Sequence, residues 1–383
     1  MTEQIFTNYR LQLPNQDIIG TLVVRDGVIA DIQPGVVNQG MNGDGAYLMP
    51  GLVELHTDHL EKCMNPRPSA KWPLDAAATY HDRDLAAAGI TTVCDAIAVG
   101  DISPTSIRYT QFGSMIDVIC QRQEAGSFSV DHRLHLRCEL AYDKVAEIAD
   151  AYATHPYLSL ISLMDHTPGQ RQFVDVNKYR EYYVVKHGVS EEVMDDFIRD
   201  RIRAQQEHAV TSRQALVAIT QAHKIPLASH DDETLEHVHQ AIQEGATIAE
   251  FPTTLHAAKE AHQNGLQVLM GGPNLILGGS HSGNVSAMEL VELDIVDMIS
   301  SDYVPHSLLH SVVLIAQHTG RPFYETMKLV TLNPAAAIGL DGDRGSLEIG
   351  KRADLLIMQA TVEKGSNSVP FIESVFVKGC RVA

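Results

Sequence analysis

A run of ten residues near the start of the chain, Pro50-Gly-Leu-Val-Glu-Leu-His-Thr-Asp-His59, carries the clearest candidate chemistry. A turn pair opens a short apolar segment that ends in His56 and Asp58. Side chains alternate faces along a β-strand, so these two residues are expected to point the same way. An imidazole nitrogen beside a carboxylate oxygen at the end of a strand can bind a metal ion. Short His-x-Asp triplets also arise by chance, so the rest of the chain must decide between the two interpretations.

Further side chains of metal-ligand type stand where other predicted strands end. Together with His56 and Asp58, the candidate ligands are Glu139, His166, His230 and Asp302. Each of them taken alone is more often a structural polar residue, but six such residues at five strand ends indicate a metal site. Three imidazoles and three carboxylates suit divalent zinc or manganese ions.

This ligand set predicts two divalent ions bridged by a carboxylate, with Glu139 as the bridging candidate. Two neighbouring ions lower the pKa of a bound water to about 7, so that hydroxide is available at neutral pH. Asp302, on the last predicted strand, is expected to hold that hydroxide and take its proton as the catalytic base. The pattern therefore predicts a metal-dependent hydrolase.

An alternation of apolar strands with helical stretches must position these residues. The predicted strands cover residues 51–56, 91–96, 134–139, 158–164, 225–230, 248–251, 268–272 and 297–302. Eight strand–helix units fit an α/β protein with a (β/α)8 barrel, which we predict over residues 51–344. An open doubly wound sheet is the alternative, but no G-x-G-x-x-G sequence follows an early strand.

Both ends of the chain have a different, β-rich texture. Residues 4–9, 20–25 and 28–32 are short strand-like runs, and Asp26-Gly27 predicts a type I′ hairpin turn. Residues 345–358 and 374–378 return to the same texture after the last barrel unit. We therefore predict that residues 1–50 and 345–383 pair to form one small β-sandwich domain.

The composition limits the partners and the location that the sequence predicts. The 383 residues carry a formal net charge of −19, which argues against binding to nucleic acid or to an anionic membrane. The five cysteines lack Cys-x-x-Cys spacing, so they indicate reduced thiols rather than a disulfide framework or a thiolate zinc site. With no long apolar run and no signal-peptide pattern, we expect a cytoplasmic protein.

Several segments resemble the amidohydrolase superfamily. They are the run from Pro50 to Asp58, the single histidines His166 and His230, Asp302, and Gly-Ser-Leu-Glu-Ile-Gly-Lys-Arg-Ala-Asp at 345–354. The resemblance covers essentially the whole chain and implies a metal-bearing (β/α)8 barrel beside a β-sandwich built from both chain ends.

Two departures from the usual superfamily pattern stand out. Asp58 takes the place of the second histidine of the usual His-x-His motif. In most members, the bridging residue lies on strand four and the two single histidines lie on strands five and six. Here the corresponding residues each lie one predicted strand earlier, and they are Glu139, His166 and His230.

Local motifs resemble one group of that superfamily more closely. They are His-Thr-Asp-His-Leu-Glu-Lys at 56–62, Leu-Met-Asp-His-Thr-Pro-Gly-Gln at 163–170, Gly-Ser-His-Ser-Gly-Asn at 279–284 and Ser-Ser-Asp-Tyr at 300–303. The group consists of diphosphatases of bacterial phosphonate catabolism, in the carbon–phosphorus lyase pathway. The resemblance implies hydrolysis of a methylphosphonate-bearing ribose 5-triphosphate to the 5-phosphate and diphosphate.

A strongly anionic substrate of this kind needs donors besides the metal ions. The glycine-rich loop after the seventh strand is the first candidate, because barrels often bind phosphate there. Lys62 and Arg171 are the second, since each lies within a few residues of a predicted ligand. The predicted substrate-binding residues are Lys62, Arg171, Gly279, Ser280, His281 and Ser282. The alternatives to phosphate binding are that the segment is an ordinary surface loop and that the cations lie on a solvated face.

Two other functions remain open from the sequence. The same water-activating ligands would serve hydrolysis of a C–N bond in a cyclic amide or an N-acyl substrate, which is the commoner chemistry of the superfamily. A non-catalytic barrel that acts as a scaffold is a third interpretation, but it would be expected to have lost ligands. A small anionic substrate and a homodimer are the partners we predict.

Overall fold

The computed structural model describes residues 3–67, 70–101, 107–171, 190–279 and 283–383. Packing divides the chain into two compact units. The first comprises Met1–Asp95, Val118–Arg133 and Leu269–Ala383, and the second comprises Ala96–Asp117 and Leu134–Val268.

The N-terminal segment consists of short strands, as predicted. They are β1 (Glu3–Leu13), β2 (Gln16–Arg25), β3 (Val28–Pro34), β4 (Met41–Asn42) and β5 (Tyr47–Pro50). Asp26 and Gly27, between β2 and β3, have φ values of 49° and 80°. Positive φ at both central residues is what a type I′ turn requires, so the predicted hairpin is confirmed.

Eight parallel strands follow, and they are hydrogen-bonded in chain order within one sheet. They are β6 (Leu52–Thr57), β7 (Ile90–Val99), β8 (Asp131–Glu139), β9 (Leu158–Met164), β10 (Leu227–His230), β11 (Ile248–Glu250), β12 (Gln267–Gly271) and β13 (Met298–Ser300). Every residue of β6 and β7 is buried, as expected for parallel strands that are covered on both faces. Each strand coincides with a predicted one to within a few residues, so the (β/α)8 barrel is confirmed.

Helices lie between the barrel strands and after them. They are α1 (His59–Met64), α2 (Leu74–Ala87), α3 (Ile107–Thr110), α4 (Phe112–Glu124), α5 (Val145–Tyr152), α6 (Glu191–His223), α7 (Leu235–Gln243), α8 (Leu255–Gln263), α9 (Gly272–Leu277), α10 (Ala287–Glu292), α11 (Ser307–Thr319), α12 (Phe323–Met327) and α13 (Leu332–Ala337), with a 3₁₀ turn at Lys328–Val330. None of the described helices is long and apolar enough to cross a membrane.

The last barrel strand joins the first through backbone contacts just beyond β13. Asp302 forms a parallel bridge with Thr57, the final residue of β6. The N–H of Asp302 also donates to the carbonyl oxygen of His56 at 3.0 Å. These contacts bring the ends of strands one and eight together, and both strand ends belong to the first unit.

Strands from both chain ends form a second sheet. The C-terminal strands are β14 (Leu355–Gln359), β15 (Phe371–Val377) and β16 (Cys380–Arg381), and the sheet order is β16-β15-β14-β5-β1-β2-β3, with β4 beside β1. Phe6 on β1 and Phe376 on β15 are separated by two strands in this order, yet their ring centroids lie 5.3 Å apart. The sheet therefore folds back on itself around a core that includes Leu22, Leu48 and Leu355. This is the sandwich predicted from both chain ends, while the domain boundaries at residues 50 and 345 stay a prediction.

A buried ion-pair cluster connects the segment before β14 to the start of β8 within the first unit. Nη1 of Arg344 donates to Oδ2 of Asp131 at 2.6 Å and to the hydroxyl of Thr92 at 2.9 Å. Arg352 donates to the same carboxylate oxygen at 2.9 Å. Burial alone would raise the pKa of Asp131, but the positive charges of Arg133 and Arg344 hold it down at about 2.

We predict that Arg344→Met lowers the free energy of unfolding by about 3 kcal/mol, because removing one partner leaves a charge poorly compensated in a buried site. Urea denaturation followed by circular dichroism measures the change. Arg10→Met is the matched control, since Arg10 pairs with Asp17 on the surface at 3.2 Å and exposed pairs contribute only about 0–1 kcal/mol. Equal losses in the two variants would contradict a structural role for the cluster.

Candidate functional site

Strand β6 presents Glu54 and His56 on one face, because alternate residues of a strand point the same way. Both side chains are buried. The Glu54 carboxylate accepts hydrogen bonds from the backbone N–H groups of His56 and Ser301, each at 2.7 Å. Burial raises the pKa of Glu54 above its ordinary value, and the hydrogen bonds from Ser301 and His56 oppose the rise because they stabilise the carboxylate. Glu54 therefore links β6 to the residue that precedes Asp302.

Asp302 has a left-handed backbone conformation, with φ of 53°. Residues other than glycine rarely adopt it, so neighbouring contacts must hold it in place. The carbonyl oxygen of Asp302 accepts hydrogen bonds from the Thr57 hydroxyl at 2.6 Å and from the Asp58 N–H at 3.2 Å. With the bond to His56, these contacts bring the backbones of the predicted ligands His56, Asp58 and Asp302 together in the first unit.

Asp58 lies beyond the end of the first strand, although strand alternation was used to predict that it points the same way as His56. Strand β6 ends at Thr57, and Asp58 is the residue at the N-terminus of α1, with φ of −100° and ψ of 22°. Strand alternation therefore places Glu54 and His56 on one face but does not apply to Asp58. The hydrogen bond from its N–H to Asp302 sets the position of Asp58 instead.

Lys62, a predicted substrate-binding residue, is exposed on α1. Its ammonium nitrogen lies 4.1 Å from the centre of the Tyr303 ring, within the range of a cation–π contact. Partial burial raises the pKa of Tyr303, and the charges of Asp302 and Asp58 raise it further. Lys62 is therefore a solvent-accessible cation next to a tyrosine whose pKa is affected by the charges of Asp58 and Asp302.

In the second unit, Glu139 and His166 form a hydrogen-bonded pair. Glu139 is the last residue of β8 and His166 follows the end of β9 by two residues. Nδ1 of His166 lies 2.8 Å from Oε2 of Glu139, and the His166 N–H donates to Oε1 at 3.2 Å. The carboxylate thereby fixes both the backbone and the ring of His166.

His230 and Asp231 complete a cluster with His166. Ligand-type atoms of the three residues all lie within 4.8 Å of one another, and Nδ1 of His230 is 3.0 Å from Oδ2 of Asp231. Burial alone would lower the pKa of His230, but the charge and the hydrogen bond of Asp231 raise it above its ordinary value. The pKa of Asp231 is lowered, because His230 outweighs the opposite effect of burial. Nitrogen and oxygen donors at this spacing suit a zinc or manganese ion.

The predicted strand positions of these residues hold in the structure. Glu139 ends the third barrel strand, His166 follows the fourth and His230 ends the fifth. These positions are one strand earlier than the usual superfamily pattern, so that departure is a property of the chain.

Glu54 and Asp231 were not among the residues predicted from the sequence. The signal for Glu54 was a carboxylate inside a buried apolar strand, two residues before His56 and on the same face. The signal for Asp231 was its place directly after His230, where the backbone takes a φ of 55°. A left-handed residue turns the side chain away from strand alternation, which the sequence does not reveal.

Arg171 is buried beside the end of β10 rather than exposed to solvent. Its Nη1 donates to the carbonyl oxygen of His230 at 3.0 Å and also to the carboxylate of Asp232. Arg171 therefore supports the backbone of a predicted ligand, and its contact with substrate stays a prediction.

A short helix, α9, lies between the seventh strand and the glycine-rich loop, and it was not among the predicted helices. Pro273, at the start of α9, favours helix over continued strand because its fixed φ suits a first turn. The N–H of Gly279 donates to the carbonyl oxygen of Asn274 at 2.9 Å, which closes this helix. Ser280, His281 and Ser282 lie outside the described residues.

We predict that Glu54→Gln lowers the free energy of unfolding by about 1–3 kcal/mol, because an amide NH₂ cannot accept the bond from a buried backbone N–H. Faster hydrogen exchange at the Ser301 amide is expected in the same variant. Glu3→Gln serves as the control, since Glu3 is exposed and pairs with Arg25 at the surface at 2.6 Å. Unchanged exchange at Ser301 would contradict the role of Glu54.

The chain is similar to known proteins both in sequence and in fold. Residues 47–382 match the model of the amidohydrolase family. The chain is 43% identical over 358 residues to alpha-D-ribose 1-methylphosphonate 5-triphosphate diphosphatase of Escherichia coli (strain K12), covering 92% of this chain and 94% of that protein.

Solved structures with the same fold are more distant in sequence. N-acetylglucosamine-6-phosphate deacetylase from Pasteurella multocida has a TM-score of 0.64 at 15% identity, over 99% of both chains. A D-hydantoinase has a TM-score of 0.59 at 15% identity, over 99% of this chain and 95% of the other. These two likenesses concern the fold alone. The family match over residues 47–382 and the 43% identity establish that the chain belongs to the amidohydrolase family.

Proposed function

We propose that this protein hydrolyses alpha-D-ribose 1-methylphosphonate 5-triphosphate to the 5-phosphate and diphosphate, a reaction of phosphonate catabolism. The observation that carries the proposal is the 43% identity to the diphosphatase of Escherichia coli over 92% of this chain. An identity that extends over nearly the whole chain includes the segments that hold the candidate ligands as well as the scaffold.

The residues that would hold divalent metal ions are His56, Asp58, Glu139, His166, His230 and Asp302. We propose two ions, zinc or manganese, because the donors are imidazole nitrogens and carboxylate oxygens. When bound, such ions supply an activated water and neutralise negative charge on phosphate oxygens. The clustering of His166 and His230 with Asp231 supports this assignment in the second unit and adds Asp231 as a candidate ligand.

Asp302 is proposed as the catalytic base that takes the proton of the attacking water. Its backbone is held by hydrogen bonds to residues 56–58 at the end of the first strand, so its side chain starts from a defined position. A base must be prepositioned to accept a proton in the transition state, which this anchoring provides.

Cations of the chain would balance the charge of the substrate. Lys62 is exposed beside Tyr303, and we propose that it binds a phosphate oxygen. Arg137 is buried in the second unit, where its positive charge opposes the rise in the pKa of His230 and contributes to the fall in the pKa of Asp231. The glycine-rich loop from Gly279 to Ser282 and Arg171 stay further candidates for phosphate binding.

Hydrolysis of a C–N bond is the second candidate, because the same ligands and the same base would serve it.

A cytoplasmic location and a homodimer complete the proposal. The net charge of −19 supports a protein that does not bind nucleic acid or anionic membranes.

The proposed reaction is tested by phosphorus NMR on the metal-loaded enzyme with the ribose 5-triphosphate in oxygen-18 water. We expect diphosphate to appear, with the label in the 5-phosphate product, because attack at the α-phosphorus transfers water oxygen to it. Label in diphosphate would instead place the attack at the β-phosphorus. An inert triphosphate together with turnover of a cyclic amide or an N-acyl substrate would establish the second candidate.

We predict that Asp302→Asn lowers kcat by about 100- to 10,000-fold, the usual contribution of a general base. Asparagine tolerates a left-handed backbone and keeps the backbone hydrogen bonds of residue 302, so the variant should fold normally. The same NMR assay measures the rate, and circular dichroism checks the fold. A rate near that of the wild type would remove Asp302 from this role.

We predict that Lys62→Met raises KM for the triphosphate by about tenfold, as expected for the loss of one charge-assisted hydrogen bond. The methionine keeps an aliphatic contact with Tyr303, so the variant tests charge rather than packing. The salt dependence of KM should also weaken, since a screened attraction is removed. Lys71→Met, at another exposed lysine, is the control. An unchanged KM would exclude Lys62 from binding.

A further inference from the structure

A second group of metal-ligand side chains lies on α1 and α2, in the first unit. His59 and Cys63 are one helical turn apart on α1, so their side chains share a face. His81 projects from α2 towards them. Nδ1 of His59 is 3.1 Å from Nδ1 of His81, and Sγ of Cys63 is 3.6 Å from the same atom of His59.

These separations are those of ligands around one tetrahedral zinc ion. Zinc–nitrogen bonds of about 2.0–2.1 Å and zinc–sulfur bonds of about 2.3 Å place two nitrogens about 3.3 Å apart. The same bonds place a nitrogen and a sulfur about 3.6 Å apart. Ligand-type atoms of His59, Cys63 and His81 all lie within 4.8 Å of one another.

A buried carboxylate orients His81 for such a role. Nε2 of His81 lies 2.6 Å from Oδ1 of Asp95, and Nδ1 of His132 lies 2.8 Å from Oδ2. Burial alone would raise the pKa of Asp95, but the charge of His132 and hydrogen bonds from both imidazoles hold it at about 2. The pKa of His132 is raised to about 9, because Asp95 and Asp82 outweigh its burial. His132 therefore neutralises Asp95 as an imidazolium.

This arrangement sets the tautomer of His81. Since the Asp95 carboxylate accepts a hydrogen bond from Nε2 of His81, that nitrogen carries a proton and Nδ1 is the ring nitrogen left to bind a metal. Histidines that bind metals usually donate their other N–H to a carboxylate in this way. His59 also has a carboxylate on the Nε2 side of its ring, at a longer distance: Nε2 lies 3.7 Å from Oδ2 of Asp84. In both rings Nδ1 is thus the atom directed at the shared point.

We propose that His59, Cys63 and His81 bind a zinc ion, with water at the fourth position, separately from the ligand set of the proposed reaction. Binding would displace the thiol proton of Cys63 to solvent, because the thiolate is the form that binds metal. Cys63 is a free thiol and is partly accessible, so an ion can reach it. This site was not predicted from the sequence, because its third ligand, His81, comes from a different helix.

The competing explanation is a hydrogen bond between the two Nδ1 atoms without any metal. It requires one of the rings to carry its proton on Nδ1, and for His81 that would remove the donor to Asp95. In that case Cys63 would form only a weak thiol hydrogen bond with Nδ1 of His59. The two explanations therefore differ in whether sulfur binds a metal ion.

Cobalt substitution distinguishes the two explanations. A cobalt–thiolate bond produces charge-transfer absorption in the near ultraviolet, whereas the nitrogen and oxygen ligands of the proposed catalytic set do not. The metal-free full-length protein is titrated with Co²⁺ and its absorption and bound cobalt are measured. We expect a thiolate band in the wild type. Cys63→Ser should lose the band and bind one Co²⁺ fewer per chain.

Cys380→Ser is the matched control, because Cys380 is an exposed thiol on the C-terminal strand, and it should keep both the band and the cobalt content. X-ray absorption of the zinc-loaded wild type is the second measurement, which needs no variant and should detect sulfur bound to zinc. A wild type with neither the band nor zinc-bound sulfur would overturn the proposal. A band that survives in Cys63→Ser would overturn it as well. Neither readout depends on turnover, so failure here is distinct from failure of the proposed reaction.

Discussion

The hydrogen bonds between Asp302 and the end of the first barrel strand are the constraint on which the candidate site of the first unit depends. Asp302 donates to the carbonyl of His56, and its own carbonyl accepts from the Thr57 hydroxyl and the Asp58 N–H. One left-handed residue thereby positions three of the predicted ligands. Glu54 reinforces the same junction, because its carboxylate binds the N–H groups of His56 and Ser301.

Paired charges explain how the second unit keeps several ionisable groups inside the protein. A buried charge is tolerated when a partner and hydrogen bonds compensate for lost water. Glu139 pairs with His166, Asp231 with His230, and Asp232 with Arg171. Each pair also fixes the orientation of an imidazole or a strand end, so the interactions that make burial tolerable also preorganise candidate ligands.

Helix α1 and the residue before it carry a predicted catalytic metal ligand, two proposed zinc ligands and a predicted phosphate-binding lysine. These side chains separate because successive positions on a helix point in different directions. Asp58 precedes it and is held against Asp302, whereas His59 and Cys63 face His81. Lys62 turns outward and packs on the ring of Tyr303. A zinc ion on His59 and Cys63 would therefore stabilise the helix that follows one predicted catalytic ligand and carries a predicted phosphate-binding lysine.

Local patterns in the sequence determined the eight barrel strands, the Asp26-Gly27 hairpin, the pairing of both chain ends and the candidate ligands at the strand ends. Strand alternation, turn residues and ligand chemistry are properties of neighbouring residues, so one chain suffices to predict them. Only the tertiary structure decided that Asp58 begins a helix, that Arg171 supports the His230 carbonyl, and that His81 meets His59 and Cys63. Those contacts join residues from different elements, and the packing of the folded chain determines which side chains meet.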